Sequence, residues 1–185
     1  MSENVLRFLT ISAAAGALAA CAGAPDRNPG PCPVAGVLED AARQIVFAGP
    51  ETLDYVAYTA EIQDVSATCR YWADRPIDVD MELTIAFGRG PAGFARRQDF
   101  EYFVSVTVAD RIVVSKQIMP VSVRFDRDGI IEETYKIENL TIPRARETTS
   151  GDNFEILVGM NLTPAQLAFN RSGRSLRFPE MQPQL

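Results

Sequence analysis

"IDVDMELTIAF", residues 77–87, sets Ile77, Val79, Met81, Leu83, Ile85 and Phe87 at every second position and fills the gaps chiefly with Asp78, Asp80, Glu82 and Thr84. A period of two is the repeat of an extended strand, whose side chains point alternately to opposite faces. A helix over the same residues would scatter six large apolar side chains around its circumference. The segment therefore predicts a strand with one face buried and the other in water.

The same period recurs on either side of this strand. "YVAYTAEI" (55–62) places Val56, Tyr58, Ala60 and Ile62 on one face, and "FEYFVSVTV" (100–108) does so with Phe100, Tyr102, Val104, Val106 and Val108. Three residues, "ADR" (109–111), separate the latter from "IVVSKQIM" (112–119), the spacing of a tight hairpin. Beyond Pro120, "VSVRF" runs to the turn "DRDG" (126–129), "IIEETYKIENLTI" (130–142) returns from it, and "NFEILVGMNL" (153–162) is the last strand. "PVAGVLEDAARQIVFAG" (33–49) carries both helical spacing and the strand-like "QIVF"; a kinked first strand is the preferred reading.

One helix is signalled, in "TPAQLAFNRSG" (163–173). Thr163 is placed to cap it, Pro164 stands at the first helical position, Gln166 completes a capping box and Gly173 stops it. It spans about two turns, with Leu167 and Phe169 or Ala168 reaching the edge of the core. Many short strands and one late helix predict an all-β fold: a single antiparallel β-sandwich over residues 32–185, with a small β-barrel as the alternative. In strand pattern the chain resembles immunoglobulin-like sandwiches. Trp72, however, follows Cys69 instead of lying between Cys32 and Cys69, so the inter-sheet pin of antibody domains does not carry over.

"GRGPAG" matches G-x-G-x-x-G at Gly88, Gly90 and Gly93, after a strand, as a dinucleotide site requires. That site also needs a helix N-terminus to receive the pyrophosphate, and "FARRQDFEYFV" leads into another strand. An inter-strand loop with no nucleotide is expected. Asp78, Asp80 and Glu82 line a polar strand face about 7 Å apart, too sparse for a calcium loop, and a solvated face is the plainer reading.

The chain has no histidine, which removes the Ser-His-Asp and Cys-His arrangements and the commonest general base. Ser115 and Lys116 are neighbours on one strand and point to opposite faces, as do Glu132 and Glu133. A carboxylate-based hydrolase would need paired acids from distant strands. No catalytic residue, cofactor or metal site is assigned. Of the exposed candidates, Tyr71 and Trp72 beside Cys69 offer an aromatic patch, with burial of Trp72 against a disulfide as the ordinary alternative. Arg144 and Arg146 lie in the longest polar loop, "IPRARETTSGDN" (142–153), and are the second candidate interaction site.

The N-terminus supplies an address. "MSENVLR" is followed by the apolar run "FLTISAAAGALAA", thirteen residues long, whereas a membrane-spanning helix needs roughly 20. These are the dimensions of a secretory signal. Leu18, Ala19, Ala20 and Cys21 resemble the lipobox of bacterial lipoproteins, in which the cysteine thiol receives diacylglycerol before signal peptidase II cuts ahead of it. The resemblance implies a signal peptide over residues 1–20 and lipidation at Cys21. Ala22, where an Asp would favour retention in the inner membrane, implies the periplasmic face of the outer membrane, with the inner membrane as alternative. "AGAPDRNPGP" (22–31) reads as a tether reaching at most about 33 to 36 Å, so residues 21–31 form a lipidated linker.

With Cys21 lipidated in a compartment that oxidises thiols, Cys32 and Cys69 are left to pair with each other. Two thiols without histidine make a poor zinc site. The formal charge of −6 disfavours nucleic acid as a partner. These readings converge on a membrane-attached, non-enzymatic module that binds an envelope protein or the cell wall. A small-ligand or lipid carrier with a barrel interior is the alternative.

Overall fold

The computed structural model describes residues 30–72, 76–108, 112–126, 129–146 and 148–177. Among the described residues eight strands form two four-stranded sheets. The first sheet contains β2 (Arg43–Phe47), β3 (Val56–Tyr71), β4 (Ile77–Arg89) and β7 (Ile130–Ile142), side by side in that order. The second contains β1 (Val34–Val37), β8 (Phe154–Met160), β5 (Arg97–Val108) and β6 (Ile112–Arg124). All neighbours are antiparallel except β1 and β8. β6 and β7 end their respective sheets without pairing, so the chain forms an all-β sandwich and the barrel alternative is not realised.

β4 realises the alternation read from its sequence: its six odd-numbered apolar residues from Ile77 to Phe87 are each no more than 2% exposed. They face Phe100, Tyr102, Val104 and Val106 of β5, Val121 and Val123 of β6, and Phe154, Ile156, Val158 and Met160 of β8 in one continuous core. Phe87 and Phe100 meet across it with ring centroids 5.1 Å apart. Packing of this kind excludes water from both inner faces and supplies the main driving force for the fold.

The first segment differs from the expected single kinked strand. It is two strands in two sheets, broken by a 3-10 turn at Glu39–Ala41, with β1 parallel to β8 and β2 antiparallel to β3. β3 is also longer than "YVAYTAEI" indicated, running 16 residues through a bulge between Ile62 and Asp64. The late helix forms as read. In α1 (Pro164–Arg171) the Gln166 N–H donates to Thr163 Oγ1 and the Thr163 N–H to Gln166 Oε1, the reciprocal bonds of a capping box. Phe169 is its buried residue, while Ala168 is exposed and Leu167 half-buried. Asn170 holds α1 against the β1–β2 turn by donating to the carbonyls of Asp40 at 2.9 Å and Arg43 at 2.7 Å.

Cys32 and Cys69 are bridged, with Cα atoms 5.6 Å apart. Cys32 lies just ahead of β1, and Cys69 near the end of β3, so the bridge ties one sheet to the other at one pole of the sandwich. The sequence separation is 37, for which loop-closure entropy gives roughly 3 to 4 kcal/mol. Urea unfolding of the oxidised and reduced domain should differ by about that amount; equal midpoints would mean that the bridge does not constrain the unfolded chain.

Candidate functional site

The residues singled out in the sequence converge on the pole that carries the disulfide. β4 begins there, and Ile77 pairs with Tyr71 on one side and Ile142 on the other. The end of β3 and the end of β7 are thereby brought to the same level. Arg144, two residues beyond β7, places its guanidinium 5.4 Å from the centre of the Tyr71 ring, a cation–π contact.

The Tyr71 hydroxyl donates to the Pro31 carbonyl and accepts from the Gly151 N–H, both at 2.7 Å. One oxygen therefore joins the N-terminal segment, β3 and the β7–β8 connection. Gly151 is required at this junction: a Cβ there would stand 2.5 Å from the Tyr71 oxygen and 2.6 Å from the Pro31 carbonyl. A Cβ on Gly30 would likewise come 1.9 Å from Ser150 Oγ. From Gly30 onward the chain is packed against the domain.

Trp72 does not have the buried place beside the disulfide that its size suggested. It is 46% exposed, whereas Tyr71 is 6% exposed. The cause is strand parity: Cys69 and Tyr71 share a face at two-residue spacing, and Trp72 falls beyond the end of β3. Arg146 is exposed at the rim of the same pole, its N–H bonded to Thr149 Oγ1 at 3.3 Å. The structure thus brings Cys32, Cys69, Tyr71 and Arg144 into one cluster and leaves Trp72 and Arg146 facing water. Cys21 lies outside the described residues.

A second feature was missed in the sequence. Between the unpaired edges of β6 and β7 lies a cleft of about 540 Å³, lined by Tyr102, Met119, Val121, Glu133, Tyr135 and Ile137 among others. The Tyr135 hydroxyl donates to the Glu133 carboxylate, and the Tyr102 ring lies 5.8 Å from that of Tyr135. Burial raises the pKa of both phenols; the hydrogen bond to Glu133 and its charge raise Tyr135 further. A carboxylate standing in register with Ile131, Tyr135 and Ile137 on the inward face of a strand was the available signal. Glu133 and Glu138 both line the cleft, but five residues of strand put them about 16 Å apart along its axis, beyond the spacing of paired catalytic acids.

Asp80 and Glu82, on the polar face of β4, hold cations of their own sheet: Arg70 at 2.9 Å and Lys136 at 3.0 Å. Among the described residues no group of three or more acids or thiols is placed to hold a metal ion. "GRGPAG" opens directly into β5 without a helix.

Two outcomes follow. Tyr71→Phe leaves the buried Gly151 N–H without its acceptor and should cost about 1 to 3 kcal/mol, with faster hydrogen exchange at Gly151; an unchanged midpoint would remove the hydroxyl from the account. For Tyr102 and Tyr135, the folded pKa lies above the ordinary 10.0, so the unfolded chain releases its phenolic protons first. Stability is then full below pH 10 and falls as pH rises from there through the folded values. Replacing both with Phe should flatten the alkaline limb of a melting-versus-pH series, and an unaltered limb would contradict that assignment.

No protein-family model, no curated protein and no solved structure matches this chain.

Proposed function

We propose that this protein is a lipid-anchored, non-enzymatic interaction module of the bacterial envelope, attached at Cys21 to the periplasmic face of the outer membrane and binding an envelope protein or the cell wall. The observation that carries the reading is the lipobox-like Leu18-Ala19-Ala20-Cys21, placed nine residues ahead of Gly30, where the chain joins the domain. Nine extended residues reach about 30 Å, so the domain stays close to the bilayer. The Cys32–Cys69 bridge supports the oxidising compartment that the anchor implies.

Several features favour surface recognition over chemistry or carriage. Core side chains pack between the sheets, and the cleft of about 540 Å³ between β6 and β7 is not continuously apolar, since Gln117, Glu133, Lys136 and Glu138 line it beside Met119 and Val121. A lipid carrier would instead need a continuous apolar cavity of several hundred Å³. The convergent pole holds its members by a disulfide, two hydrogen bonds and a ring contact, and among its described residues no nucleophile stands beside a base.

Blocking signal peptidase II in growing cells should accumulate a precursor that retains residues 1–20. Cys21→Ser should give a product that lacks lipid and no longer fractionates with membranes. Processing unaffected by the inhibitor, with the mature chain in the soluble fraction, would overturn the anchored reading.

A further inference from the structure

The most exposed aromatic side chain of the described domain is Phe94, 88% accessible at the tip of the β4–β5 loop. Exposed aromatics on mobile loops carry little information, but this loop is held on both sides. The Gly90 N–H donates to the Ala57 carbonyl at 2.8 Å and the Ala92 N–H to that of Val56 at 3.0 Å. The Tyr58 hydroxyl donates to the Ala95 carbonyl at 2.9 Å, and the Phe125 N–H to that of Arg96 at 2.8 Å. Gly90 and Gly93 lie so close to β3 that a Cβ on either would be 2.3 Å from the Val56 or Ala57 carbonyl oxygen. The glycines read in the sequence as a nucleotide motif serve here to seat the loop, which presents Phe94 outward at little cost in ordering entropy.

Among the described residues around the Phe94 loop, arginines outnumber acids: Arg89, Arg96, Arg97 and Arg124 against Asp99 and Asp126. Arg96 and Arg97 follow it, and Arg97 stands directly opposite Arg124 in the β5–β6 ladder. Like charges in that position destabilise a strand pair. None of the three has an ion-pair partner among the described residues. Asp99 and Asp126 are the nearest acids along the two strands, and the carbonyl of Asp126, not its carboxylate, receives Arg89 at 2.9 Å. A domain whose chain carries a net charge of −6 thus maintains a cationic tip with an apolar point.

We infer that Phe94, with Arg96, Arg97 and Arg124 at the same end of the sandwich, is the contact by which this domain binds a partner protein that offers an apolar pocket bordered by carboxylates. A convex knob requires a concave acceptor, which a protein surface supplies and a glycan strand does not. Unpaired guanidiniums select an acidic rim, and the aromatic-plus-arginine composition is that of interface hot spots. The tip is at the pole opposite Tyr71, with the 13 residues of β4 between them, roughly 40 Å of strand. The direction in which the knob faces rests on the anchored reading, whereas the knob itself does not.

The test uses the full-length chain in intact cells, with benzoylphenylalanine replacing Phe94 as a photocrosslinker. The expected result is one protein adduct whose crosslinked position is flanked by acidic residues. R96E/R97E/R124E should lower its yield at least tenfold with the fold intact by thermal melting, and R70E, at the other pole, should leave it unchanged. An adduct to glycan released by muramidase, to lipid or to a second copy of this chain would overturn the inference. So would a yield no higher than with the probe at Thr134, or equal loss with R70E. Fractionation of the same cells separates the two readings. An adduct from a soluble chain rejects the anchor alone, and a membrane-bound chain without an adduct rejects the knob alone.

Discussion

The inner face of β4 is the constraint on which the rest of the structure depends. β4 is an inner strand of its sheet, so both of its neighbours must accept its register. Its six inward side chains are each worth about 1.5 to 3 kcal/mol on burial. A slip by one residue would turn all six to water and bring Asp78, Asp80 and Glu82 inside, at a desolvation cost that no contact in the core offsets. The alternation therefore admits one register. That register fixes how far β3 and β7 extend, which residues end level with one another, and hence what each pole displays.

At the disulfide pole, levelling of Tyr71 with Ile142 allows Arg144 to cover the Tyr71 ring and Gly151 to reach its hydroxyl. The contributions there are unequal. The disulfide constrains the unfolded chain by roughly 3 to 4 kcal/mol, each Tyr71 hydrogen bond adds about 1, and the exposed side of the cation–π contact adds about 0.5 to 1. The bridge holds the N-terminal segment to the domain, and the smaller contacts fix how it leaves. At the other pole the β5–β6 ladder of the second sheet brings Arg97 opposite Arg124, an arrangement that folding alone does not favour. One pole is thus built to be held, and at the other Arg96, Arg97 and Arg124 have no ion-pair partner among the described residues.

What was legible in the sequence was local. The alternation of residues 77–87 and 100–108, the capping box of Thr163 and Gln166, the turn glycine Gly129 with φ of 74° and the pairing of Cys32 with Cys69 all depend on neighbours in the chain or on simple elimination. The division of residues 34–47 between two sheets was not legible, because β1 finds its partner in β8, more than a hundred residues away. The parity that buries Tyr71 and exposes Trp72 was present in the spacing from Cys69, but the usual burial of tryptophan obscured it. The Glu133–Tyr135 cleft arises only because β6 and β7 fail to meet. Phe94 resembles any loop residue until the glycines around it are seen pressed against β3.

If the anchor serves to concentrate the domain near a weak partner, function must depend on tether length in a graded way, since effective concentration falls roughly as the −3/2 power of length. The most direct measurement is complementation of a deletion strain, at matched abundance, by a series with Gly and Ser residues inserted after Ala22 and by a secreted Cys21→Ser form. A gradual decline along the series, ending in loss of most function in the secreted form, is the expected result. Full complementation by the secreted form would contradict the claim that attachment is what makes this domain work.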